Sequence, residues 1–138
     1  MSVLVTGSFD LLHSGHIEFL RQASQYGKLF VGIGSDASIA ELKNRPTIFT
    51  QEERLFMIRA IKYVEDAWIN KGMGNIDFAE DIRSHNTFID TLVVNEDQDF
   101  MEKRWFCGDE GIRYVVLKRV PHPGLPERSS TTQRRYYD

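Results

Sequence analysis

Two histidines stand three residues apart in the segment Gly7-Ser8-Phe9-Asp10-Leu11-Leu12-His13-Ser14-Gly15-His16. A short aliphatic run precedes it and a helical pattern follows. Imidazoles at such a junction can join the free N–H groups of a helix N-terminus and face one anion, as a phosphate site requires. They could also ligate zinc, but neither a cysteine nor a third histidine lies nearby to complete the ligand set, and no protein-held metal is expected. Either histidine alone would read as an ordinary loop residue. Phe9-Asp10 and the position after a first strand argue otherwise. Gly7 permits a tight turn or close backbone approach, and Gly15 leaves the helix start uncrowded.

The elements that must hold this segment follow from apolar spacing. Ser2 to Thr6 is a β-branched and aliphatic run closed by Gly7, which suits a buried strand. Ile17, Leu20 and Ala23 recur at helical spacing, predicting a helix from Ser14 to Tyr26 that stops at Gly27. Leu29 to Ile33 is a second strand. Ser35 or Asp36 caps a short helix to about Leu42. Thr50 and Glu53 have capping-box spacing, and Leu55, Ile58 and Ile61 give the next helix its apolar face. Further strands are predicted at Ala67 to Ile69, Thr91 to Val94 and Arg113 to Leu117. Helices are predicted at Ile76 to Ser84 and Gln98 to Phe106, with a last short one from Ser129 or Ser130. Strands alternating with helices predict an α/β chain, a Rossmann-like, doubly wound parallel sheet in a single domain over residues 1–138. Ligands in such sheets bind beyond the carboxyl ends of the strands, so the loops after the strands are where a site is expected.

The 138 residues carry 17 basic and 20 acidic side chains, a formal charge of −3, which argues against a general nucleic-acid binder. The longest apolar runs fall far short of a membrane span. A single cysteine, Cys107, fits a reducing compartment, and a cytoplasmic location is expected.

The motif segment resembles the HxGH nucleotidyltransferase superfamily, most closely its cytidylyltransferase branch and the glycerol-3-phosphate cytidylyltransferases. Gly7-Ser8-Phe9-Asp10 and His13-Ser14-Gly15-His16 match that pattern in its strand–turn–helix context. Lys43-Asn44-Arg45 before the helix with Glu53-Arg54 resembles the family's basic pair and helix arginine, and Lys62 corresponds to a second helix arginine. Arg128-Ser129-Ser130-Thr131-Thr132 resembles the family's phosphate-holding hydroxyl segment, and Arg119 matches the arginine that opens that loop. Asn95-Glu96-Asp97-Gln98 stands where the family often has Gly-Asp-Asp-Trp, so Asp97 keeps an acid there. The loop between Arg119 and Ser129 is longer and proline-rich.

By this resemblance the chain transfers a nucleoside monophosphate from a triphosphate to a small phosphorylated acceptor, with release of pyrophosphate. CTP is the expected donor; ATP is the alternative, because Ser129 to Arg134 partly fits an adenylyltransferase signature. Magnesium would accompany the triphosphate. The resemblance implies catalytic roles for His13, His16 and Lys43. It implies nucleotide binding by Gly7, Ser8, Phe9, Asp10, Gly15, Asp97, Arg119, Arg128, Ser129, Ser130, Thr131 and Thr132, and acceptor binding by Arg45, Arg54 and Lys62. Asp10 is open between orienting the loop and assisting a metal ion. Phe9 is open between nucleotide floor and core. A homodimer is expected, and neither nucleic acid nor membrane is expected as a partner. A nucleotide-binding regulatory protein without turnover, and an interaction domain with a vestigial site, are the rival classes.

Overall fold

The computed structural model describes residues 1–84 and 88–137. Five strands form one sheet in the order β3-β2-β1-β4-β5: β1 Ser2–Gly7, β2 Lys28–Ile33, β3 Asp66–Ile69, β4 Thr91–Asn95 and β5 Arg113–Leu117. Every pairing is parallel. The chain winds outward from β1 to β3, then returns across β1 and winds outward to β5. The direction reverses between β1 and β4, which is where such sheets place their ligands.

Successive residues of a strand face opposite sides, so each buried strand supplies two cores. Val3, Val5, Leu29, Val31, Ile33, Ala67 and Val93 pack with Leu20 and Ala23 of α1 (Ser14–Ser24) and Ile58 of α3 (Gln51–Arg59). Leu4, Phe30, Trp68, Leu92 and Val94 pack on the other face, against Phe78 just before α4 (Ala79–Ser84), Ile82 within it, and Phe106 and Cys107 of α5 (Met101–Glu110). The strands are apolar on both faces, as a doubly covered parallel sheet requires. The fold is therefore the Rossmann-like α/β sheet that alternation predicts. Among the described residues no helix is long and apolar enough to cross a membrane.

Helix ends differ from expectation where side chains cap the backbone. Thr50 accepts from the Glu53 N–H at 3.3 Å, so the N-cap half of the expected capping box forms. The helix expected from Gln98 instead begins at Met101. Asn95 accepts from the Asp97 N–H at 3.0 Å and winds Glu96–Gln98 into a separate 3-10 turn. Gly111, at φ 70°, stops α5 at Glu110, four residues later than expected at Phe106. Residues 75–78 turn rather than start a helix, so α4 begins at Ala79 and not Ile76. α1 stops at Ser24, short of Tyr26.

Candidate active site

The loop after β1 is held in a strained conformation. Phe9 and Leu11 both have φ of 51°, a region that disfavours large side chains, and both are almost fully buried. Asp10, between them, ties the loop to the chain before α3. Its Oδ1 accepts from the N–H groups of Leu11 and Phe49 at 3.1 and 2.9 Å, and its Oδ2 from the Ile48 N–H at 2.8 Å. These bonds take three of the carboxylate's roughly four acceptor positions, and Arg134 stands 4.0 Å from Oδ2, an arrangement that suits an orienting role for Asp10. Phe9 is both core and floor: it packs with Val5 and Val31, lines the cavity and meets the His16 ring edge-on at 5.5 Å.

His13 caps α1, and His16 closes the cap in return. His13 Nδ1 accepts from the Gly15 N–H at 3.0 Å, while His16 Nδ1 accepts from the His13 N–H at 3.2 Å. The rings stack at 3.9 Å. A side chain at Gly15 would come within 2.9 Å of the His13 ring, so glycine there is a packing requirement. Because both Nδ1 atoms accept, a neutral imidazole must carry its proton on Nε2. Burial, with Arg119 and Arg128, pushes His13 down to about 4. Burial, then His13, Arg119 and Lys43, pushes His16 down to about 3. Both rings are thus neutral Nε2–H donors at physiological pH. His13 Nε2 is buried without a hydrogen-bond partner, and His16 Nε2 lies 3.4 Å from Ser130 Oγ.

These donors face a cavity of about 310 Å³ over the carboxyl ends of the strands. Gly7, Ser8, Lys43, Asp97, Arg119, Arg128, Ser129, Ser130 and Thr131 also line it. α2 (Asp36–Lys43) delivers Lys43 to its mouth, where Asn44 leaves the helix at φ 54°. Loss of hydration there, and Arg45 beside it, hold Lys43 below its ordinary value. Arg119 donates to Asp97 Oδ2 at 3.1 Å and to the Arg128 carbonyl at 2.7 Å, closing the loop after β5 over the site. His122 fastens that loop to α1 through Glu18, with Nδ1 at 2.8 Å from Oε1. Ser130 opens α6 (Ser130–Arg134) and donates to the Asp10 carbonyl at 2.9 Å; Gln133 donates to the Leu11 carbonyl at 3.2 Å.

Five predicted site residues, Asp10, Arg45, Arg54, Lys62 and Thr132, lie outside this lining. Arg54 is fully buried and does not face an acceptor. It donates to the carbonyls of Phe49, Ser8 and Gly34 and to Asp36 Oδ1, at 2.7–3.2 Å, so nearly all its donors are committed inside the fold. Lys62 lies in a turn beyond the end of α3, exposed and over the Tyr63 ring at 5.3 Å, so it shares no helix face with Arg54. Thr132 is exposed on α6 and outside the cavity lining. Arg45 lines a small side pocket with Asp10, Lys43, Ser130 and Arg134.

Residues 4–132 match the cytidylyltransferase-like family. The chain belongs to that family. This cytidylyltransferase-like domain is 38% identical over 134 residues to the FAD synthase of Thermococcus kodakarensis, covering 95% of the chain and 87% of the relative. It is 35% identical to the FAD synthase of Pyrococcus horikoshii, with the same coverage. Its fold superposes on a lipopolysaccharide core biosynthesis protein of Thermoplasma volcanium with a TM-score of 0.69 and 26% identity, covering 88% of this chain and 98% of that one. The resemblance read from the motif is therefore upheld, and the cytidylyltransferase-like domain is a nucleotidyltransferase.

Sequence reasoning missed several residues that complete the site. Lys103 lies on the cavity wall although it shares a helical stripe with Phe106 and Cys107. A lysine at i where i+3 and i+4 are core residues was the available signal. Arg54, four residues before the buried Ile58, carried the same signal of a buried cation. Asp77, on the same wall as Lys103, and the Glu18–His122 tie had no comparable pattern.

Proposed function

We propose that this chain transfers the adenylyl group of ATP to the phosphate of FMN, forming FAD and pyrophosphate. The relatives named FAD synthase support this acceptor, since FAD is FMN joined to AMP through a pyrophosphate link. They also reverse the sequence-based order of donors, favouring the ATP alternative over CTP. FMN is a phosphate monoester, the acceptor class that the sequence anticipates.

The observation that carries the mechanism is the reciprocal His13–His16 cap. A phosphate oxygen of the acceptor attacks the α-phosphorus in line, the bond to the β-phosphate oxygen breaks, and pyrophosphate leaves with the electron pair. Negative charge builds on the non-bridging oxygens of the transferring group. The Nε2–H of each histidine donates there, and neither ring has to reorganise because its other nitrogen is already bonded. Preorganised donors of this kind stabilise the transition state more than the ground state. Neutral imidazoles also hold their protons, so the chemistry needs no proton transfer from the protein. Arg119, Arg128, Ser129 and Thr131 line the side that would hold the outer phosphates, and Lys43 on the cavity lining with Arg45 in the adjoining side pocket supports a role toward the acceptor's phosphate.

Among the described residues no group of three or more acidic, histidine or cysteine side chains is placed to hold a metal. Asp97 lines the cavity beside Arg119, and Asp10 is committed to backbone N–H groups. That fits an ion carried mainly by the triphosphate with its own waters, with Asp97 as the carboxylate that would approach it. When bound, magnesium supplies charge neutralisation on the phosphates.

The test is a coupled assay with ATP or CTP against FMN, glycerol 3-phosphate or no acceptor, reading pyrophosphate release and FAD by chromatography. FAD formation with ATP is expected. Turnover with CTP and glycerol 3-phosphate but not with ATP and FMN would overturn the reading, and nucleotide binding without any turnover would favour the regulatory class.

A further inference from the structure

Beyond the phosphate machinery, the cavity runs along α2 to a second polar wall formed by Asp77 and Lys103. Both side chains are more than nine-tenths buried, at 8% and 4% exposure, yet both face the cavity. Asp77 faces the Asn70 amide and the Lys103 ammonium, so the two buried charges compensate each other, and both still open onto the cavity. Lys103 donates one N–H to the Gln98 carbonyl at 3.1 Å, which leaves two others. The backbone fixes Asp77. The Gly72 N–H donates to the Asp77 carbonyl at 3.1 Å, and Gly74 N–H is pinned to Ser38 Oγ of α2 at 3.2 Å. One carboxylate oxygen thereby sits 3.7 Å from the position a Gly34 Cβ would take, just past the end of β2.

The path from the phosphates to this wall has a consistent chemistry. Lys43 stands at the mouth, and Ile39, one helical turn earlier, lines the cavity roughly 6 Å further along α2. Leu42 and Gly74 add apolar surface, and Asn75 adds an amide. The order is therefore cation, apolar flank, then acid with base. A ligand that satisfies it has a phosphate at one end, a flat apolar body, and a far edge that offers both donors and acceptors.

We propose that Asp77 and Lys103 form the subsite that reads the uracil-like edge of the flavin ring, with the carboxylate accepting from N3–H and the ammonium donating to a flanking carbonyl. This rests on the FAD-forming reading above. The edge presents acceptor, donor, acceptor in a row, and Asn75 lies on the same wall to serve the second carbonyl. The triphosphate side, lined by Arg119 to Thr131, is left to the nucleotide. A site built around a buried acceptor rejects an analogue that cannot donate to it, because the carboxylate then stays unpaired.

The test compares FMN with N3-methyl-FMN in the wild-type protein, reading KM for each flavin and for ATP. The methyl group removes the donor and leaves phosphate and ring unchanged. The methylated flavin is expected to have a KM at least tenfold higher, with the KM for ATP unchanged. Asp77→Ala is expected to raise the KM for FMN and to abolish the difference between the two flavins, while the KM for ATP stays within twofold. Equal use of the two flavins by the wild type overturns the subsite while leaving the FAD-forming reading intact. A rise in the KM for ATP alone in Asp77→Ala also overturns it, by assigning the wall to the adenine edge. No FAD from either flavin overturns both.

Discussion

The motif loop at residues 7–16 and the segment at residues 118–131 line the same cavity but are held by different forces. The motif loop is fixed from inside. Asp10 takes three backbone N–H groups, Arg54 holds the Ser8 carbonyl from a fully buried position, and the two histidines cap each other. The later segment is held at the surface by Arg119 with Asp97, and at its two ends by His122 with the buried Glu18 carboxylate and by Ser130 with the Asp10 carbonyl. Buried hydrogen bonds with no water to replace them are strong constraints. Exposed ion pairs are weak and screened by salt. The two sides divide the work accordingly. On the function proposed above, the donors of the chemical step fall on the rigid side, and the cations that would admit and release a triphosphate fall on the loose one.

Arg54→Met should have the largest effect on stability. It orphans the carbonyls of Ser8, Gly34 and Phe49 beneath the motif loop. A buried charged group lost from its partners costs about 3–5 kcal/mol, which lowers the melting temperature by roughly 10–20 °C in a chain of this size. Thermal unfolding by circular dichroism measures it. A drop of only a few degrees would mean that the loop is held without Arg54, and the contrast between the two sides would fail.

His16→Ala should come next, and on rate. Loss of one preorganised donor lowers turnover about 10²–10³-fold. Stability should change far less, by about 1 kcal/mol, since one capping bond from the His13 N–H is lost. A folded His16→Ala protein with wild-type turnover would remove the histidine from the mechanism.

A smaller effect separates the sides by pH. His13 and His16 titrate at about 4 and about 3 in the fold, against about 6.5 unfolded. The unfolded chain therefore binds protons first as pH falls. Stability from these neutral rings is complete above about 6.5 and is lost progressively toward pH 3–4. Asp77 acts in the opposite sense. Burial raises it to about 6, so the folded state takes up its proton first and partly offsets the loss. The apo protein's melting temperature should still fall between pH 6.5 and 4, and His13→Gln should flatten that slope. An unchanged slope in His13→Gln would show that burial and the neighbouring arginines do not hold the His13 ring neutral.

Legibility followed the same division. Strands buried on both faces are near-continuous apolar runs, so β1, β2 and β4 stood out, and alternation then dictated a parallel sheet. The motif loop was legible because its residues are consecutive and each has a local partner. Asp10 was not, because its partners at Ile48 and Phe49 lie far along the chain and are backbone groups without a side-chain signature. Arg54 and Lys62 were misplaced for a related reason. A basic side chain on a helix looks the same whether it faces solvent, a ligand or buried carbonyls. Position within the apolar stripe separates the cases for Arg54. For Lys62, α3 ends at Arg59, so the position read as a second helix residue lies beyond the helix.

The smallest effect belongs to the outer side of the site, and salt exposes it. Arg119 and Asp97 are both largely exposed, so their 3.1 Å pair contributes about 0–1 kcal/mol to stability. Asp97→Asn should leave the melting temperature nearly unchanged. The same exposure means that Arg119, Arg128 and Lys43 attract a triphosphate through solvent, where charge is screened over about 8–10 Å near physiological ionic strength. Raising salt from low to physiological levels should therefore raise the KM for ATP several-fold. It should not lower kcat in parallel, because His13 and His16 act as neutral donors and present no net charge to screen. Steady-state kinetics at several salt concentrations, with magnesium and ATP fixed in ratio, measures both. A kcat that falls with salt while KM stays constant would invert the assignment, placing charged groups at the chemical step and making the surface pairs irrelevant to binding.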